Sequence, residues 1–185
     1  MQEDYKKLIE EKDKIIEEYK KQIALLKKQV EYYKKTACID PLTNLNNRRA
    51  VSYTSNYSNI IMGDVDHFKQ INDEYGHEEG DKVLIEIGKI LIHNVRDIDL
   101  ACRWGGEEFA IFLKDCNEDI AYKKALLLKE KIESLKDVFG FDITMSFGVS
   151  NINDKNMQEA ITEADQAMYE SKSKGRNTVT VYTLN

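Results

Sequence analysis

The chain has 185 residues, of which 42% are hydrophobic and 32% are charged, and its formal net charge at pH 7 is −6. This balance is typical of a globular chain that can bury a core, and no apolar run approaches the roughly 20 residues that a membrane-spanning helix needs. The first seven residues are charged and lack the apolar stretch of a secretory signal. Because the three cysteines are odd in number and lack metal-type spacing, we expect reduced thiols and a cytoplasmic protein.

The negative charge is concentrated in the larger part of the chain. Residues 1–37 hold ten lysines and eight acidic residues, a net charge of +2, whereas the remaining residues hold 17 basic and 25 acidic side chains, a net charge of −8. Affinity for a nucleic-acid polymer comes mainly from cations that contact phosphates. The acidic part of the chain therefore argues against a general nucleic-acid surface, and a nucleotide bound there would need metal ions and individually placed basic residues.

Residues 4–36 contain no glycine or proline and repeat their apolar residues every seven positions. Isoleucine and valine at the a positions favour a parallel two-stranded coiled coil, which predicts a dimerisation helix over residues 1–37 and a homodimer. A single amphipathic helix packed on its own domain is the alternative, and a lysine at one d position weakens that turn of the coil. The a positions are Ile9, Ile16, Ile23, Val30 and Ala37, and the d positions are Tyr5, Lys12, Tyr19, Leu26 and Tyr33.

The rest of the chain, residues 38–185, alternates between strand-like and helix-like segments. Pro41 is the only proline, and it ends the helical register near residues 36–41. Apolar β-branched runs and 3.6-residue periodicities together indicate an α+β fold, with a central mixed, mainly antiparallel sheet flanked by helices. The predicted strands cover residues 59–65, 99–103, 108–113, 141–150 and 178–182, and the predicted helices cover residues 80–95, 117–135 (capped by Asn117) and 156–174 (ended by Gly175).

Two acidic residues, Asp64 and Asp66, close an apolar strand. The two-residue period of a strand sends both carboxylates to one side, unless they diverge where the strand ends. A Mg²⁺ ion takes one or two carboxylates and completes its shell with waters and substrate phosphates, so the pair is a candidate metal site. A solvated strand end without a metal is the alternative for an isolated pair of this kind.

A second acidic segment lies at the predicted hairpin, where Glu107 and Glu108 follow the turn residues Gly105 and Gly106. Glycine allows the positive φ of a tight turn, and its bare backbone lets N–H groups approach a phosphate. Together with Asp64, the hairpin would supply acids from two elements for two-metal phosphoryl transfer. On its own, the same segment could be an ordinary acidic turn.

Six ordered blocks make the chain similar to the GGDEF family of diguanylate cyclases over roughly residues 39–183. A match to all six in this order is not expected by chance, and glutamate at the third signature position is an accepted active form of the motif. The resemblance implies a nucleotidyl-cyclase-like domain that joins two GTP molecules into cyclic di-GMP and releases two pyrophosphates. The blocks are DPLTNLNNRR at 40–49, DVDHFKQIND at 64–73, GHEEGD at 76–81, GGEEF at 105–109, TMSFGV at 144–149, and ADQAMY at 164–169 leading to KSKGRN at 172–177.

The resemblance implies metal-binding and catalytic roles at the two acidic segments. Asp64 and Glu107 match the carboxylates that bind Mg²⁺ or Mn²⁺, two ions per half-site, with the Val65 carbonyl oxygen as a further ligand. Glu107 also lies where the family places a group near the attacking 3′-hydroxyl. Glu108 is the third acid of the catalytic set, in support of either the metals or the hairpin.

The resemblance also implies a GTP site. Asn72 and Asp81 match the guanine readers, because a carboxylate can accept from guanine N1–H and N2–H while an amide both donates and accepts. An acid at position 81 argues for GTP over ATP, since a related hybrid-product branch has a smaller residue there. The groups expected around the phosphates are Phe68, Lys69, Lys172, Arg176 and the backbone of Gly105 and Gly106. For the last two cations, the alternative is a simple complement to the helix dipole.

Arg96 and Asp99 match the family's R-x-x-D product-binding site, with five residues between Asp99 and Gly105. Arginine can bind phosphate or guanine through two parallel hydrogen bonds, and aspartate can accept from guanine N–H groups. The match predicts inhibition by cyclic di-GMP. A surface charge pair is the alternative for an R-x-x-D sequence outside this context.

The sequence also departs from the family pattern and leaves other functions open. Only fifteen residues separate Arg48 from Asp64, where most members have a longer helix, so the helix after Arg49 should be short or missing. Because one domain holds one GTP, catalysis requires two facing domains, which a coiled coil would keep at high effective concentration. The alternatives are a catalytically silent module that senses cyclic di-GMP through Arg96 and Asp99, and a scaffold whose coil recruits a separate sensor.

Overall fold

The computed structural model describes residues 2–53, 56–152 and 155–183 of the chain. The chain divides into two compact units, Met1–Cys38 and Ile39–Asn185. Within the described ranges, no helix is both long enough and apolar enough to cross a bilayer. The first unit is a single helix, and the second is a layered α+β domain.

The first unit is the continuous helix α1 (Gln2–Ala37). Its 36 residues include neither glycine nor proline, so no residue interrupts the intrahelical hydrogen bonds. The apolar side chains of the heptad positions are largely exposed in the single chain, as shown by Ile16 at 49% and Leu26 at 58%. The predicted helix is confirmed and its apolar residues are available to a partner, while the coiled coil itself stays a prediction.

The second unit is built on one sheet, which has six strands in the described residues. In chain order they are β1 (Asn46–Asn47), β2 (Asn59–Val65), β3 (Leu100–Gly105), β4 (Glu108–Leu113), β5 (Met145–Asn151) and β6 (Val179–Val181). Their order across the sheet is β1-β3-β4-β2-β5-β6. The two outermost pairings are parallel and the three central pairings are antiparallel, which confirms the predicted mixed, mainly antiparallel sheet.

Helices connect the strands and cover the sheet. A 3₁₀ helix (Arg48–Tyr53) follows β1, and the described residues contain five further helices of this unit. They are α2 (Phe68–Tyr75), α3 (His77–Asn94), α4 (Glu118–Glu133), α5 (Lys136–Phe139) and α6 (Met157–Ser173). The predicted cap at Asn117 is confirmed, because its side chain accepts from the Ile120 N–H. The segment after Arg49 forms a 3₁₀ turn, in agreement with the expected short helix.

A helical layer packs on each face of the sheet. Ile61 of β2 belongs to the main hydrophobic core together with Leu84 of α3 and Leu128 of α4. On the opposite face, α6 approaches β5 so closely that a Cβ atom on Gly148 would lie 2.0 Å from the Ala164 carbonyl oxygen. Glycine is required at this contact, because any side chain would push α6 away from the sheet.

Two element boundaries and one additional helix are the main differences from the sequence-based predictions. Helix α3 begins at His77, three residues before its predicted start, and strand β5 begins at Met145 rather than at residue 141. Phe141 was predicted to be in that strand, but its ring stacks on Tyr75 at a centroid distance of 4.0 Å. Helix α2 was not predicted, because Ile71 is its only fully buried residue and the apolar periodicity is correspondingly weak.

Candidate active site

Three charged residues from three elements meet at the end of the central strand. Asp64 lies near the end of β2, and the strand register places it opposite Glu108 of β4. From the last turn of α6, Lys172 Nζ donates to Asp64 Oδ1 at 2.9 Å, and the Asp64 side chain is 12% exposed. The ion pair is therefore partly desolvated, and it lies where the sequence predicted an acidic site.

Glu107 is held beside this cluster by the backbone of the hairpin. The Val65 N–H donates to the Glu107 carbonyl oxygen at 3.3 Å, which ties the turn to the end of β2. The turn occupies Gly106 and Glu107, and pairing resumes between Gly105 and Glu108. Gly106 has a φ of +39°, a conformation that favours glycine. The hairpin turn is therefore confirmed, one residue later than predicted, and it brings Glu107 to the strand end.

The carboxylates of this cluster repel one another. Burial raises the pKa of Asp64, Lys172 opposes the rise only in part, and Glu107 adds to it. Burial also raises the pKa of Glu108, and the nearby charges of Asp64 and Asp165 raise it further. A pKa raised by neighbouring acids means that the ionised forms destabilise each other. One lysine does not neutralise the cluster, so an additional cation would be favoured here.

A divalent cation fits this donor set only with help from a ligand. Asp64 and Glu107 supply carboxylates, and Val65 supplies a backbone carbonyl at the same strand end. Among the residues that the structure describes, no three His, Cys, Asp or Glu side chains are arranged to hold a metal by themselves. Mg²⁺ usually binds through one or two carboxylates and completes its shell with waters and substrate phosphates. The residues present therefore fit Mg²⁺ in a nucleotide complex better than a cage made of protein alone.

Asp66, the second acid of the strand end, is a structural residue. Its carboxylate accepts hydrogen bonds from Thr144 Oγ1 at 2.8 Å, Ser146 Oγ at 2.7 Å and the Asn177 backbone N–H at 3.0 Å. The residue is only 4% exposed. Asp66 therefore fixes the segment after α6 to the beginning of β5, and the two neighbouring acids have different partners, which their spacing in the sequence did not distinguish.

The predicted guanine readers lie on α2 and α3, which meet at a glycine. A Cβ atom on Gly80 would lie 2.0 Å from Asn72 Oδ1 and 3.2 Å from Phe68 Cζ. Glycine at this position lets Asn72 and Phe68 of α2 approach the first turn of α3, immediately before the exposed Asp81. Gly80 is thus a further residue of this site, and a glycine inside a predicted helix is the sequence signal of such close packing.

Two further predicted phosphate-binding residues, Lys69 and Arg176, are exposed. Arg176 lies in a run of three residues with positive φ: +108° at Gly175, +65° at Arg176 and +46° at Asn177. Positive φ is uncommon for non-glycine residues, and here the Asn177 N–H is held by Asp66. This hydrogen bond fixes the loop that presents Arg176 just beyond the end of α6.

Arg96 and Asp99 form a closed ion pair. Arg96 donates from Nε to Asp99 Oδ2 at 2.9 Å and from Nη2 to Oδ1 at 2.8 Å, while the Lys114 N–H donates to Oδ1 at 3.0 Å. Burial would raise the pKa of Asp99, but hydrogen bonds from Arg96 and Lys114 outweigh it and hold this pKa below its ordinary value. The Asp99 side chain is 1% exposed and that of Arg96 is 50% exposed, so a ligand can reach the arginine far more readily than the aspartate.

Arg103 and Asp40 connect the hairpin to the beginning of the second unit. Arg103 donates from Nε to the Gly106 carbonyl oxygen at 2.8 Å and from Nη1 to Asp40 Oδ1 at 3.3 Å. Asp40 also accepts from the backbone N–H and the hydroxyl of Thr43. The sequence gives no sign of this connection, because the two residues are 63 positions apart and no local periodicity relates them.

Two comparisons of the sequence point to one family. The family model described as "Diguanylate cyclase, GGDEF domain" matches residues 37–178. Diguanylate cyclase A of Treponema denticola is 42% identical over 127 residues, which make up 66% of this chain and 34% of that protein. The chain thus spans about a third of the length of this relative.

Two solved structures of GGDEF-type domains are similar to this chain. One is the GGDEF domain of DgcB from Caulobacter crescentus in complex with c-di-GMP, with 27% identity, a TM-score of 0.73, and coverage of 79% of this chain and 96% of that chain. Another is the active GGEEF domain of a diguanylate cyclase from Vibrio cholerae, with 30% identity, a TM-score of 0.65, and coverage of 70% and 85%.

Proposed function

The chain belongs to the diguanylate cyclase, GGDEF-domain family, and we propose on that premise that it joins two GTP molecules into cyclic di-GMP. In each of two steps, the 3′-hydroxyl oxygen of one GTP attacks the α-phosphorus of the other. A phosphodiester bond forms, the bond to pyrophosphate breaks and the hydroxyl proton is released, so the products are one cyclic di-GMP and two pyrophosphates. The observation that carries the proposal is the convergence of Asp64, Glu107 and Glu108 with Lys172 at the end of β2.

Asp64, Glu107 and the Val65 carbonyl oxygen would hold Mg²⁺ or Mn²⁺, with two ions per half-site. When bound, such ions lower the pKa of the hydroxyl and neutralise the charge that develops on the phosphate. The hydrogen bond between Val65 and Glu107 supports a position of Glu107 near the attacking hydroxyl. Glu108, whose pKa is raised by burial and by neighbouring acids, would support the ions from the facing strand.

The guanine base would bind at the junction of α2 and α3. Asn72, held against Gly80, would donate and accept one hydrogen bond each, and Asp81 would accept from guanine N1–H and N2–H. Phe68, on the same helix as Asn72, would line the adjoining phosphate pocket. Adenine lacks these two donors, so an acid at position 81 supports GTP as the substrate.

The triphosphate would lie along Lys69, Lys172, Arg176 and the backbone N–H groups of Gly105 and Gly106. Lys172 contacts Asp64 at 2.9 Å, so nucleotide binding would exchange the partner of this lysine from a carboxylate to a phosphate oxygen. The exchange would free Asp64 for a cation. Charge-assisted hydrogen bonds of this kind are about twice as strong as neutral ones.

The active species would be a homodimer, because one domain holds only half of the reactants. The exposed heptad residues of α1, such as Ile16 and Leu26, support a parallel coiled coil with a second copy. Such a coil would raise the effective concentration of the partner domain to roughly the millimolar range. The two GTP molecules would then react across a two-fold axis.

Cyclic di-GMP would inhibit the enzyme through Arg96. The hydrogen bonds that Asp99 receives hold the half-exposed guanidinium in one orientation, which supports Arg96 as the contact to the product and Asp99 as a positioning residue. A pocket of about 150 Å³ beside the pair supports the same assignment.

The proposed setting is the cytoplasm, where GTP is available and thiols stay reduced. All three cysteines are free, and burial raises the pKa of Cys102 to about 12, so this thiol is unreactive. The net charge of −8 outside residues 1–37 supports small nucleotides, rather than a nucleic-acid polymer, as the ligands.

The direct test is incubation of the purified chain with GTP and Mg²⁺, followed by mass detection of cyclic di-GMP. We expect product from the wild type and none from Glu107→Gln, with unchanged folding of the variant by circular dichroism. Turnover retained in Glu107→Gln would remove this residue from the mechanism. Dimeric wild-type protein that binds cyclic di-GMP in calorimetry but forms none would overturn the enzyme and favour the silent sensor.

A further inference from the structure

An open cleft lies next to the hairpin, on the opposite side from Asp64. It has a volume of about 600 Å³, and its lining includes Arg48, Arg49, Arg103 and Trp104 together with the turn glycines. The sheet order explains the location, because Arg48 and Arg49 follow β1, Arg103 lies in β3, and strands β3 and β4 separate β1 from β2. We call this cavity the arginine cleft.

Two of the three arginines in the cleft have no counter-charge. Arg103 is occupied by Asp40 and by the Gly106 carbonyl oxygen. Arg48 and Arg49 are exposed, and among the described residues neither guanidinium forms a salt bridge. Two adjacent unpaired arginines are unusual in a region whose net charge is −8. Their planar guanidinium groups suit phosphate oxygens, which they can bind through two parallel hydrogen bonds.

The 3₁₀ helix holds the two arginines at the rim of the cleft. The Arg49 N–H donates to Asn47 Oδ1 at 2.9 Å, and Asn47 Nδ2 donates to the Ile39 carbonyl oxygen at 3.2 Å. The next residue, Ala50, is only 5% exposed and anchors the turn to the domain. These contacts fix the backbone, so the arginine pair has a defined place relative to the hairpin.

The GTP bound in the same domain does not account for these arginines. Its phosphates would lie with Lys172 and Asp64 at the end of β2, and two strands, β4 and β3, lie between β2 and β1. The reaction, however, requires a second GTP held by a second domain, and this GTP must reach the same hairpin from outside. Asp40, which lines the cleft, is only three residues beyond the end of α1 at Ala37, so the cleft is close in sequence to the proposed dimerisation helix.

We propose that Arg48 and Arg49 bind the phosphates of the GTP molecule carried by the partner domain. The inference rests on the proposed diguanylate cyclase activity and deepens it. The arginine pair would orient the incoming α-phosphate toward the 3′-hydroxyl and balance the charge that develops as pyrophosphate leaves. In this arrangement each domain contributes its cations in trans, which gives a second reason why an isolated domain would not react.

The test compares turnover in the dimer with GTP affinity in a monomer. In the full-length dimer, the Arg48→Ala/Arg49→Ala variant should lower kcat roughly ten- to a hundredfold. The same double substitution is then combined with Ile16→Asp and Ile23→Asp, which place charges in the seam of the coil and leave the chain monomeric. Binding of a non-hydrolysable GTP analogue to this monomer, measured by calorimetry with Mg²⁺, should change less than about twofold, because the domain's own site lacks the arginines.

Three controls keep the outcome interpretable. Lys123→Ala/Lys131→Ala removes two exposed cations from α4 and should leave kcat unchanged. Arg48→Lys/Arg49→Lys keeps the charge but loses the paired hydrogen bonds, so its turnover should lie between those of the wild type and the alanine variant. Arg48→Gln/Arg49→Gln should repeat the loss if the alanine variant proves unstable on thermal unfolding.

Two results would overturn the inference. One is a kcat within about twofold of the wild type in folded, dimeric alanine and glutamine variants. The other is an equal loss of GTP-analogue affinity in the monomer, which would place the arginines in the domain's own site. Absence of any cyclic di-GMP from the wild type would instead refute the proposed function, so the two failures are distinguishable.

Discussion

Two ion pairs of the second unit, Asp64–Lys172 and Arg96–Asp99, differ in their electrostatic balance. Both Asp99 oxygens receive hydrogen bonds, and the pKa of this carboxyl is lowered despite burial. Asp64 shares one lysine with neighbouring acids, and burial raises its pKa. A pair that satisfies its own charges supports the fold, whereas a cluster that does not is stabilised only by a ligand. The comparison therefore assigns structural stability mainly to one pair and ligand binding to the other.

The strongest challenge to this comparison is Asp64→Asn. Loss of the carboxylate would remove a proposed metal ligand, and we expect turnover to fall at least about a thousandfold. At the same time, the free energy of unfolding should rise, because one buried charge and its repulsion by Glu107 are removed while the amide oxygen can still accept from Lys172. Turnover is measured by mass detection of cyclic di-GMP, and stability by urea denaturation without Mg²⁺.

Asp66→Asn is the matched control, two residues further along the chain. It should lower the free energy of unfolding by about 1–3 kcal/mol, because three donors now face an amide that accepts through only one of its two positions. A stability loss of similar size in Asp64→Asn would mean that Asp64, too, is structural, and the contrast between the two ion pairs would fail.

Much of the fold and the approximate location of the site could be predicted from local patterns. The heptads predicted α1, the alternation of apolar residues predicted the hairpin strands, and the side chain of Asn117 predicted the start of α4. Each of these signals lies within a few residues of the feature that it describes. The position of Glu107 beside β2 could also be predicted, because a two-residue hairpin turn allows the chain only a few geometries.

Features that depend on distant residues could not be predicted in the same way. Asp64 and Asp66 have identical chemistry, and only the donors from Thr144, Ser146 and Asn177, at least 78 positions away, make Asp66 structural. The role of Gly80 depends on its distance to the Asn72 amide. Tertiary contacts of this kind leave no periodicity in the sequence, so the structure is needed to separate a ligand-binding acid from a structural one.

A smaller effect is expected from a substitution in the second ion pair, Arg96–Asp99. Asp99→Asn removes the negative charge and one of the two acceptor oxygens that orient Arg96. We expect about tenfold weaker inhibition by cyclic di-GMP together with a loss of about 1–3 kcal/mol in the free energy of unfolding. The uninhibited kcat should not change, because the pair lies outside the acidic cluster. Inhibition curves and urea denaturation provide the two measurements. Arg96→Ala is the companion variant, and unchanged inhibition in both variants would rule out a regulatory role for the pair.

The smallest expected effect is a difference in pH dependence, and it tests the comparison most directly. The pKa of Asp64 is raised above 3.8, so the native state holds this proton more tightly than the unfolded state. The associated stability is fully present below about pH 3.8 and is lost as the pH rises through the folded pKa. For Asp99 the pKa is lowered from 3.8, so its contribution is present above about pH 3.8 and is lost as the pH falls through its folded pKa.

Urea denaturation of the wild type and of Asp64→Asn, from about pH 4 to about pH 8 in EDTA, isolates the contribution of Asp64 to the free energy of unfolding. The free energy of unfolding of Asp64→Asn should exceed that of the wild type by an amount that grows as the pH rises, because only the wild type acquires the repelling charge at position 64. Mg²⁺ should reduce this growth, because a bound cation favours the ionised carboxylate. An advantage that stays constant with pH would show that Asp64 is already ionised at low cost beside Lys172, and the cluster would then need no ligand to balance its charge.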